Sequence, residues 1–252
     1  MSGHSKWATT KHRKAAVDAK RAVLFSKLSR IITVAAKAGG DPNPENNAAL
    51  AAAIAKAKSY SLPKDKIETA ISKAFGAGAD SAAYEEVVYE GYGPVGVALY
   101  VEALTDNRNR TAADVRAAFT RAGGNLGATG SVAFQFERKG QIVVDRSGAP
   151  DADETMLLVA DVGGEDMEAG EDAYVVYTAP AEVMAVKAAL EEAGVPVKGA
   201  ELVMEPVTTT AVTVEDAKRV LRLIDRLEES DDIQTVYHTM ELTDEIAEAL
   251  GA

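Results

Sequence analysis

The first third of the chain has the spacing of apolar residues that is typical of amphipathic helices. Apolar side chains recur every three or four residues at Leu24, Leu28, Ile31 and Ala35. This spacing predicts a helix over residues 15–38, which the Gly-Gly-Asp-Pro segment at 39–42 ends, because glycine suits a C-cap and proline cannot continue a helix.

Two shorter amphipathic patterns follow, over residues 45–59 and 64–75. Pro63 stands just before the second of them, where proline is tolerated. The three patterns together predict a small helical bundle, and the glycine-alanine segment at 76–79 indicates a linker after it.

Beyond residue 80 the pattern changes to short runs rich in β-branched and aromatic residues. Residues 84–91 and 95–105 predict a hairpin, Thr111 is the expected N-cap of a helix that reaches Ala122, and 131–137 predicts a further strand. Residues 141–206 have the order β-α-β-β-α-β of a ferredoxin-like unit. A helix at 214–229, a strand at 233–240 and a helix at 244–250 then complete the sheet that began at residue 84.

The expected fold class is therefore α+β, with an N-terminal three-helix bundle and two ferredoxin-like α/β domains, the third domain inserted into the second. The expected domains are residues 1–79 for a basic arm and the bundle, 80–137 with 207–252 for a discontinuous α/β domain, and 138–206 for the inserted one.

Composition narrows the class of protein. The 252 residues include no cysteine, which excludes disulfides, thiolate metal sites and a cysteine nucleophile. The longest apolar run, residues 48–55, is far shorter than the ~20 residues of a membrane span, and the N-terminus has no apolar signal segment. We expect a soluble, cytoplasmic protein with no membrane partner.

Charge is divided unevenly along the chain. The net charge is −12, yet residues 1–80 carry 14 Lys/Arg against 6 Asp/Glu, a net of +8, and residues 81–252 carry a net of −20. Such asymmetry favours a polyanion-binding region on an acidic body. The alternative is a solvated basic helix with no partner.

Candidate catalytic groups are sparse. His4 and His12 lie in the basic arm and His238 in a predicted strand, where a half-buried structural role is expected, and no metal-ligand spacing links them. The glycine-rich segment 123–131 follows a helix and precedes a strand, the reverse of a phosphate-binding loop. The acidic run at 228–232 favours a solvated helix end over a hard-cation site. We expect no enzyme activity, no cofactor and no metal; the alternative enzyme would use an acidic cleft with a divalent cation and Glu85, Glu86 and Glu90.

The basic strip favours nucleic-acid binding, because Lys and Arg gain affinity by releasing counterions from phosphates. Trp7 has no local core to enter and could stack on an unpaired base, a contact worth ~1–3 kcal/mol. Arg108 and Arg110 follow a predicted strand and precede a predicted helix, so they offer a second anion contact. The alternative is a capping loop whose arginines face solvent. A membrane-surface role for the first helix ranks lower, because its apolar stripe is needed by the bundle. The expected nucleic-acid-binding residues are Lys6, Trp7, Lys11, His12, Arg13, Lys14, Lys20, Arg21, Lys27, Arg30, Arg108 and Arg110.

Several segments together resemble one family. They are Gly3-His4-Ser5-Lys6-Trp7, Lys11-His12-Arg13-Lys14, Leu62-Pro63-Lys64-Asp65, Tyr89-Glu90-Gly91-Tyr92-Gly93-Pro94, Leu104-Thr105-Asp106-Asn107-Arg108-Asn109-Arg110-Thr111, Gly123-Gly124-Asn125-Leu126-Gly127 and Asp231-Asp232-Ile233-Gln234-Thr235-Val236-Tyr237. The chain is similar in these segments to the YebC/PmpR family of transcriptional regulators, which is related to a mitochondrial translational activator of cytochrome c oxidase.

The resemblance implies a helical N-terminal domain, two α/β domains around a cleft, and a non-enzymatic regulator of gene expression. Two partners stay open. The first is promoter DNA, bound by a transcriptional regulator. The second is ribosomal RNA, bound through the basic arm of a ribosome-associated translation factor, which suits an acidic body that can sit against basic ribosomal proteins. Neither the oligomeric state nor an effector follows from these residues.

Overall fold

The computed structural model describes residues 18–76 and 84–250. Its helices are α1 Asp18–Gly39, α2 Ala48–Ser59, α3 Lys64–Phe75, α4 Arg108–Arg121, α5 Ala152–Asp161, α6 Val183–Glu192, α7 Val214–Glu228 and α8 Asp244–Ala249. Its strands are β1 Glu85–Tyr92, β2 Ala98–Thr105, β3 Asn125–Leu126, β4 Phe136–Asp145, β5 Asp166–Ala169, β6 Ala173–Thr178, β7 Val197–Pro206 and β8 Ile233–His238. None of the helices in these ranges is long and apolar enough to cross a membrane.

Helices α1 to α3 form the N-terminal bundle around an apolar core that includes Ile32, Leu50 and Ile67. Gly40 adopts φ +67°, the left-handed conformation that lets the chain leave α1. Helix α3 has the predicted bounds, whereas α2 begins later than the predicted residue 45. The reason is Asn47, whose side-chain oxygen accepts the backbone N–H of Leu50 and so caps the helix.

The first sheet has the strand order β3-β1-β2-β8 and is antiparallel throughout. Helices α4 and α7 pack against each other and against one face of this sheet. Since β8 lies beside β2 but follows it by more than a hundred residues, the domain is completed only after the chain has formed another one.

The second sheet, in order β5-β6-β4-β7, belongs to that intervening domain. Its elements follow the predicted β-α-β-β-α-β order, with α5 and α6 on one face. The helical bundle and the two antiparallel-sheet domains confirm the predicted fold class. The elements of the first sheet come in a different order. Strands β1 and β2, helix α4 and strand β3 precede the second sheet along the chain, and helix α7 and strand β8 follow it.

Three predicted strands and one predicted cap differ from the structure. Residues 131–137 and 141–145 do not form separate strands, because a 3-10 turn occupies residues 133–135 and β4 then runs unbroken, paired with β7 along its length. The predicted strand 95–105 begins at Ala98, since Val95 lies in a tight turn at φ +53°. Helix α4 is capped by Asn107 and not by Thr111, which lies inside the first helical turn.

Candidate nucleic-acid interface

The structure describes five of the twelve expected nucleic-acid-binding side chains. The residues Lys6, Trp7, Lys11, His12, Arg13 and Lys14 lie outside the described ranges, and Lys20 is described only as part of helix α1. The five side chains that remain are Arg21, Lys27, Arg30, Arg108 and Arg110.

Arg21 and Arg108 lie on the surface. The Arg21 guanidinium lies 5.3 Å from the ring centroid of Phe25, one helical turn further along α1, and its side chain is exposed. Arg108 is two-thirds exposed and lies 3.6 Å from the carboxylate of Glu85. An exposed ion pair at this distance contributes little to stability, so the contact with Glu85 leaves Arg108 accessible to a phosphate. Arg21 is accessible because its side chain is exposed.

Lys27 lies in a contact within the chain. Only 8% of the residue is exposed, and its Nζ donates to the carbonyl oxygen of Glu228 over 2.9 Å. Glu228 ends helix α7, where the last carbonyls carry the negative end of the helix dipole. Lys27 therefore attaches the bundle to the body, and its charge is not presented to an external partner.

Arg30 and Arg110 meet at one buried carboxylate. Asp232 precedes β8 and is 5% exposed; its Oδ1 accepts from Arg30 over 2.5 Å, and its Oδ2 accepts from Arg110 over 2.8 Å. The hydroxyl of Thr111 donates to the same Oδ2, also over 2.8 Å. We call Asp232, Arg30, Arg110 and Thr111 the Asp232 cluster.

The electrostatics of the Asp232 cluster favour the charged carboxylate. Burial alone would raise the pKa of Asp232, but hydrogen bonds from Arg110, Arg30 and Thr111 outweigh it and lower the pKa to about 2. Arg30 also lies 5.4 Å from the ring centroid of Tyr84 and donates to the carbonyl of Leu104 over 3.3 Å. The cluster thus joins the bundle to the first sheet and the start of α4.

Helices α2 and α3 carry exposed lysines that the sequence analysis did not single out. Lys58 lies at the end of α2, and Lys64, Lys66 and Lys73 lie on α3, all on the outside of the bundle. Of these, only Lys64 has an ion pair recorded in the described ranges, a 3.6 Å contact with the exposed Glu68. The net positive charge of residues 1–80 was the signal that could have indicated them.

A cleft separates the bundle from the two sheets. Its walls come from α1, α2, β7 and β8, and they include Leu24, Ile31, Glu201 and Gln234. The Nζ of Lys56 on α2 lies 2.6 Å from a carboxylate oxygen of Glu201 on β7, so this ion pair joins two walls of the cleft.

The acids considered for an enzyme have separate environments. Glu90 is buried, and its two carboxylate oxygens accept the backbone N–H groups of Gly130, Val132 and Ala133 at 2.6 to 2.8 Å. Glu85 faces Arg108, and Glu86 is exposed. Glu90 therefore anchors the turn that precedes β4. Within residues 18–76 and 84–250, no group of three or more His, Cys, Asp or Glu side chains has a metal-binding arrangement. His238 is fully buried in β8, more deeply than the half-buried position predicted.

Family profiles match almost the whole chain. The TACO1/YebC N-terminal domain matches residues 5–77, and the TACO1/YebC second and third domains match residues 84–240. The chain belongs to the TACO1/YebC family. This result confirms the resemblance drawn from the motifs.

Relatives of this TACO1/YebC chain match it over nearly the full length of both proteins. A "probable transcriptional regulatory protein" of Rubrobacter xylanophilus is 50% identical over 252 residues, all of both chains. Another with that name from Lactobacillus acidophilus is 54% identical over 238 residues, which cover 94% of this chain and 97% of the relative. The solved structure of a conserved hypothetical protein from Aquifex aeolicus has a TM-score of 0.82 and 45% identity, covering 91% of this chain and 94% of its own.

Proposed function

We propose that this TACO1/YebC protein is a non-enzymatic regulator of transcription that binds DNA through its basic N-terminal region. The relatives named as transcriptional regulatory proteins support this class of function. The structural observation that carries the proposal is the division of the bundle's cations between an inner and an outer set.

The inner set consists of Lys27 and Arg30, which face the acidic body and form contacts with it. Lys27 binds the end of α7, and Arg30 binds Asp232. These contacts fix the bundle against the first sheet, so the opposite side of the bundle is held outward. Residues 18–76 carry 10 Lys/Arg against 5 Asp/Glu, whereas residues 84–250 carry 13 against 33.

The outer set is exposed and suits a phosphate backbone. Arg21, Lys58, Lys66 and Lys73 stand on the outside of α1, α2 and α3. They extend the phosphate contacts expected from the arm, in which Trp7 supplies a stacking contact. Arg108 adds a cation on the neighbouring domain. Contacts of this kind position a protein on nucleic acid without reading its sequence.

The test measures the affinity for DNA as a function of salt. Replacing Lys58, Lys66 and Lys73 together by Gln removes three phosphate contacts, so log Kd should depend less steeply on log salt concentration, by up to about 2.7 in slope for B-DNA. All DNA sequences should weaken alike. Fluorescence anisotropy with a labelled promoter fragment and a random fragment measures both effects.

A matched control removes the same charge from the acidic body. The triple variant Lys187→Gln, Lys198→Gln and Lys218→Gln leaves the bundle intact and should bind DNA as the wild type does. Equal weakening by the two triple variants would show that total charge, and not the bundle surface, determines the affinity. An unchanged salt slope in the bundle variant would refute the proposed surface.

The strongly acidic body favours a second candidate, a ribosome-associated translation factor. A body of this charge is repelled by long duplex flanks but is attracted to basic ribosomal proteins, while the basic region contacts RNA. Sedimentation of a low-salt extract through a sucrose gradient, with and without RNase, separates the two. Migration with ribosomes until RNase or salt releases the protein would replace the transcriptional proposal; protein that stays at the top and shifts promoter fragments would support it.

A further inference from the structure

One end of the first-sheet domain is formed by segments without charged residues. These are residues 91–101, which include the turn between β1 and β2, residues 122–136 between α4 and the start of β4, and residues 206–214 after β7. Charged residues make up 26% of the chain, yet none of the residues in these three segments is Asp, Glu, Lys or Arg. We call the surface that they form the neutral end.

Hydrogen bonds join the three segments. The hydroxyl of Tyr92 accepts from Nε2 of Gln135 over 3.0 Å and donates to the carbonyl oxygen of Ser131 over 3.1 Å. The backbone N–H of Val207 donates to the carbonyl oxygen of Gln135 over 2.9 Å. Tyr92 and Val207 are therefore both attached to Gln135, the residue that follows Phe134.

Large apolar side chains are exposed on the neutral end. Phe134 is 73% exposed, and Tyr92, Val95 and Val207 are exposed beside it along the same three segments. Val95 also has φ +53°, which is strained for a β-branched residue. These four are among the nine large apolar side chains that are exposed in the described ranges. Exposed apolar groups that gather in this way indicate a binding surface.

The backbone that presents Phe134 is fixed on both sides. The N–H of Ala133 donates to the buried carboxylate of Glu90 over 2.8 Å, and the N–H of Gln135 donates to the carbonyl oxygen of Val132 over 2.9 Å. Phe134 is the middle residue of the 3-10 turn between these bonds. A ring on such a turn loses little conformational freedom when a ligand contacts it.

The chemistry of the neutral end suits a nucleobase. A flat aromatic ring stacks on any unpaired base, and the absence of carboxylates lets a strand approach a body that is otherwise acidic. Cations stand at the edge: Arg121 is exposed, and a Cβ on Gly123 would lie 3.8 Å from Nη2 of Arg219. Arg219 contacts only the partly exposed Asp216 in the described ranges, over 3.2 Å, a pair that a phosphate can replace.

We propose that Phe134 stacks on an unpaired base of the nucleic acid that the bundle binds. The inference rests on the proposed function and specifies its target as DNA with unpaired bases. An apolar protein partner fits less well, because a stable protein interface takes about 800 Å² from each side around an apolar centre. Here the exposed Thr208 and Thr209 interrupt the apolar side chains, whereas one ring suffices for a base.

The first test measures the affinity for a single-stranded DNA of about 12 nucleotides by fluorescence anisotropy. Phe134→Ala should weaken binding by about 5- to 150-fold, the range that base–aromatic stacking gives. Phe134→Leu, which is apolar but has no ring, should weaken it similarly, and Phe134→Trp should bind at least as well as the wild type. The salt slope should stay that of the wild type, because no phosphate contact is lost.

Leu157 supplies the matched control, because it is 68% exposed and lies on α5 in the other sheet domain. Leu157→Ala should bind the single strand as the wild type does. A fully paired duplex should lose less affinity than the single strand in Phe134→Ala, since its bases are already stacked. Equal affinities of Phe134→Ala and the wild type, or a Leu variant that binds as well as the Trp variant, would overturn the proposal.

The second test does not depend on the stability of the alanine variant. Trp7 is the single tryptophan of the chain, so Trp7→Phe/Phe134→Trp places the only tryptophan on the neutral end. Stacking predicts that the single-stranded DNA quenches its emission and that a duplex of the same sequence quenches it less. Emission that is unchanged in a saturated complex would refute the stacking contact.

The outcomes separate this inference from the proposed function. Binding of a single-stranded RNA but of no DNA, with the same loss in Phe134→Ala, would refute the DNA target and support base stacking. DNA binding that weakens in the Lys58/Lys66/Lys73 variant, but not in Phe134→Ala, would refute the stacking and support the bundle surface. A wild-type protein that binds neither nucleic acid would refute both.

Discussion

Replacing Asp232 by Asn should destabilise the junction between the bundle and the first sheet. Asn has nearly the same shape as Asp but leaves Arg30 and Arg110 without their shared counter-charge. The pKa of Asp232 falls from 3.8 to about 2 in the folded protein, and such a shift corresponds to about 2 kcal/mol between the charged and the neutral form. We therefore expect a loss of about 2 kcal/mol, and a larger loss of about 3–5 kcal/mol for Asp232→Ala, which also removes the hydrogen-bond acceptors.

The same cluster predicts a pH dependence with a definite sign. Because the folded pKa of Asp232 lies below the unfolded one, its stabilisation is fully present above about pH 5 and is lost as the pH falls through 4 towards 2. Wild-type protein should lose about 1 kcal/mol more than Asp232→Asn between pH 7 and pH 3, which is about half of the full stabilisation. Urea unfolding followed by circular dichroism at pH 7, 5, 4 and 3 measures the difference.

Asp231 supplies the matched control, because it is the preceding residue and is exposed. Asp231→Asn should remain within about 0.5 kcal/mol of the wild type. A double-mutant cycle with Arg30→Gln should show a coupling energy, since the two side chains are in direct contact. The reasoning is refuted if Asp232→Asn unfolds with the free energy of Asp231→Asn, or if the cycle shows no coupling.

Two further substitutions test the internal architecture. Glu90→Gln places an amide NH₂ among the backbone N–H groups of the 130–133 turn, so it should cost about 2–3 kcal/mol in urea unfolding, while Glu86→Gln on the same strand should be neutral. Gly140→Ala would bring a Cβ against Thr178 Oγ1 and to 2.6 Å from Val183 Cβ. The melting temperature should therefore fall, and the free energy of unfolding should drop by about 1–3 kcal/mol. An unchanged melting temperature would mean that α6 can shift freely from β4.

The sequence predicted those helices and strands that have strong local signals. Helix α3 has its predicted bounds because proline stands before it, glycine stands after it, and the apolar period is unbroken between them. The β-α-β-β-α-β order of the elements in the second sheet also followed, since each of these elements has its own period and turn residues. Strand β4 did not, because the polar residues Arg138 and Lys139 resemble a loop until β7 pairs with them.

Capping of α4 shows where local signals are ambiguous. Asn107 and Thr111 are both good caps by residue type, and the local pattern alone does not rank them. The structure uses Asn107 as the cap, and the Thr111 hydroxyl donates to Asp232, 121 positions later in the chain.

The sequence alone determined the family, the sequence of most elements and the segregation of charge, because periodicity, turn chemistry and composition act over a few residues. Only the tertiary structure decided which cations are available. Lys27 and Arg30 belong to a basic helix, yet their partners Glu228 and Asp232 lie about two hundred residues away and approach only when the first sheet is complete. Electrostatic pairing depends on distance in space, and no local pattern records that distance.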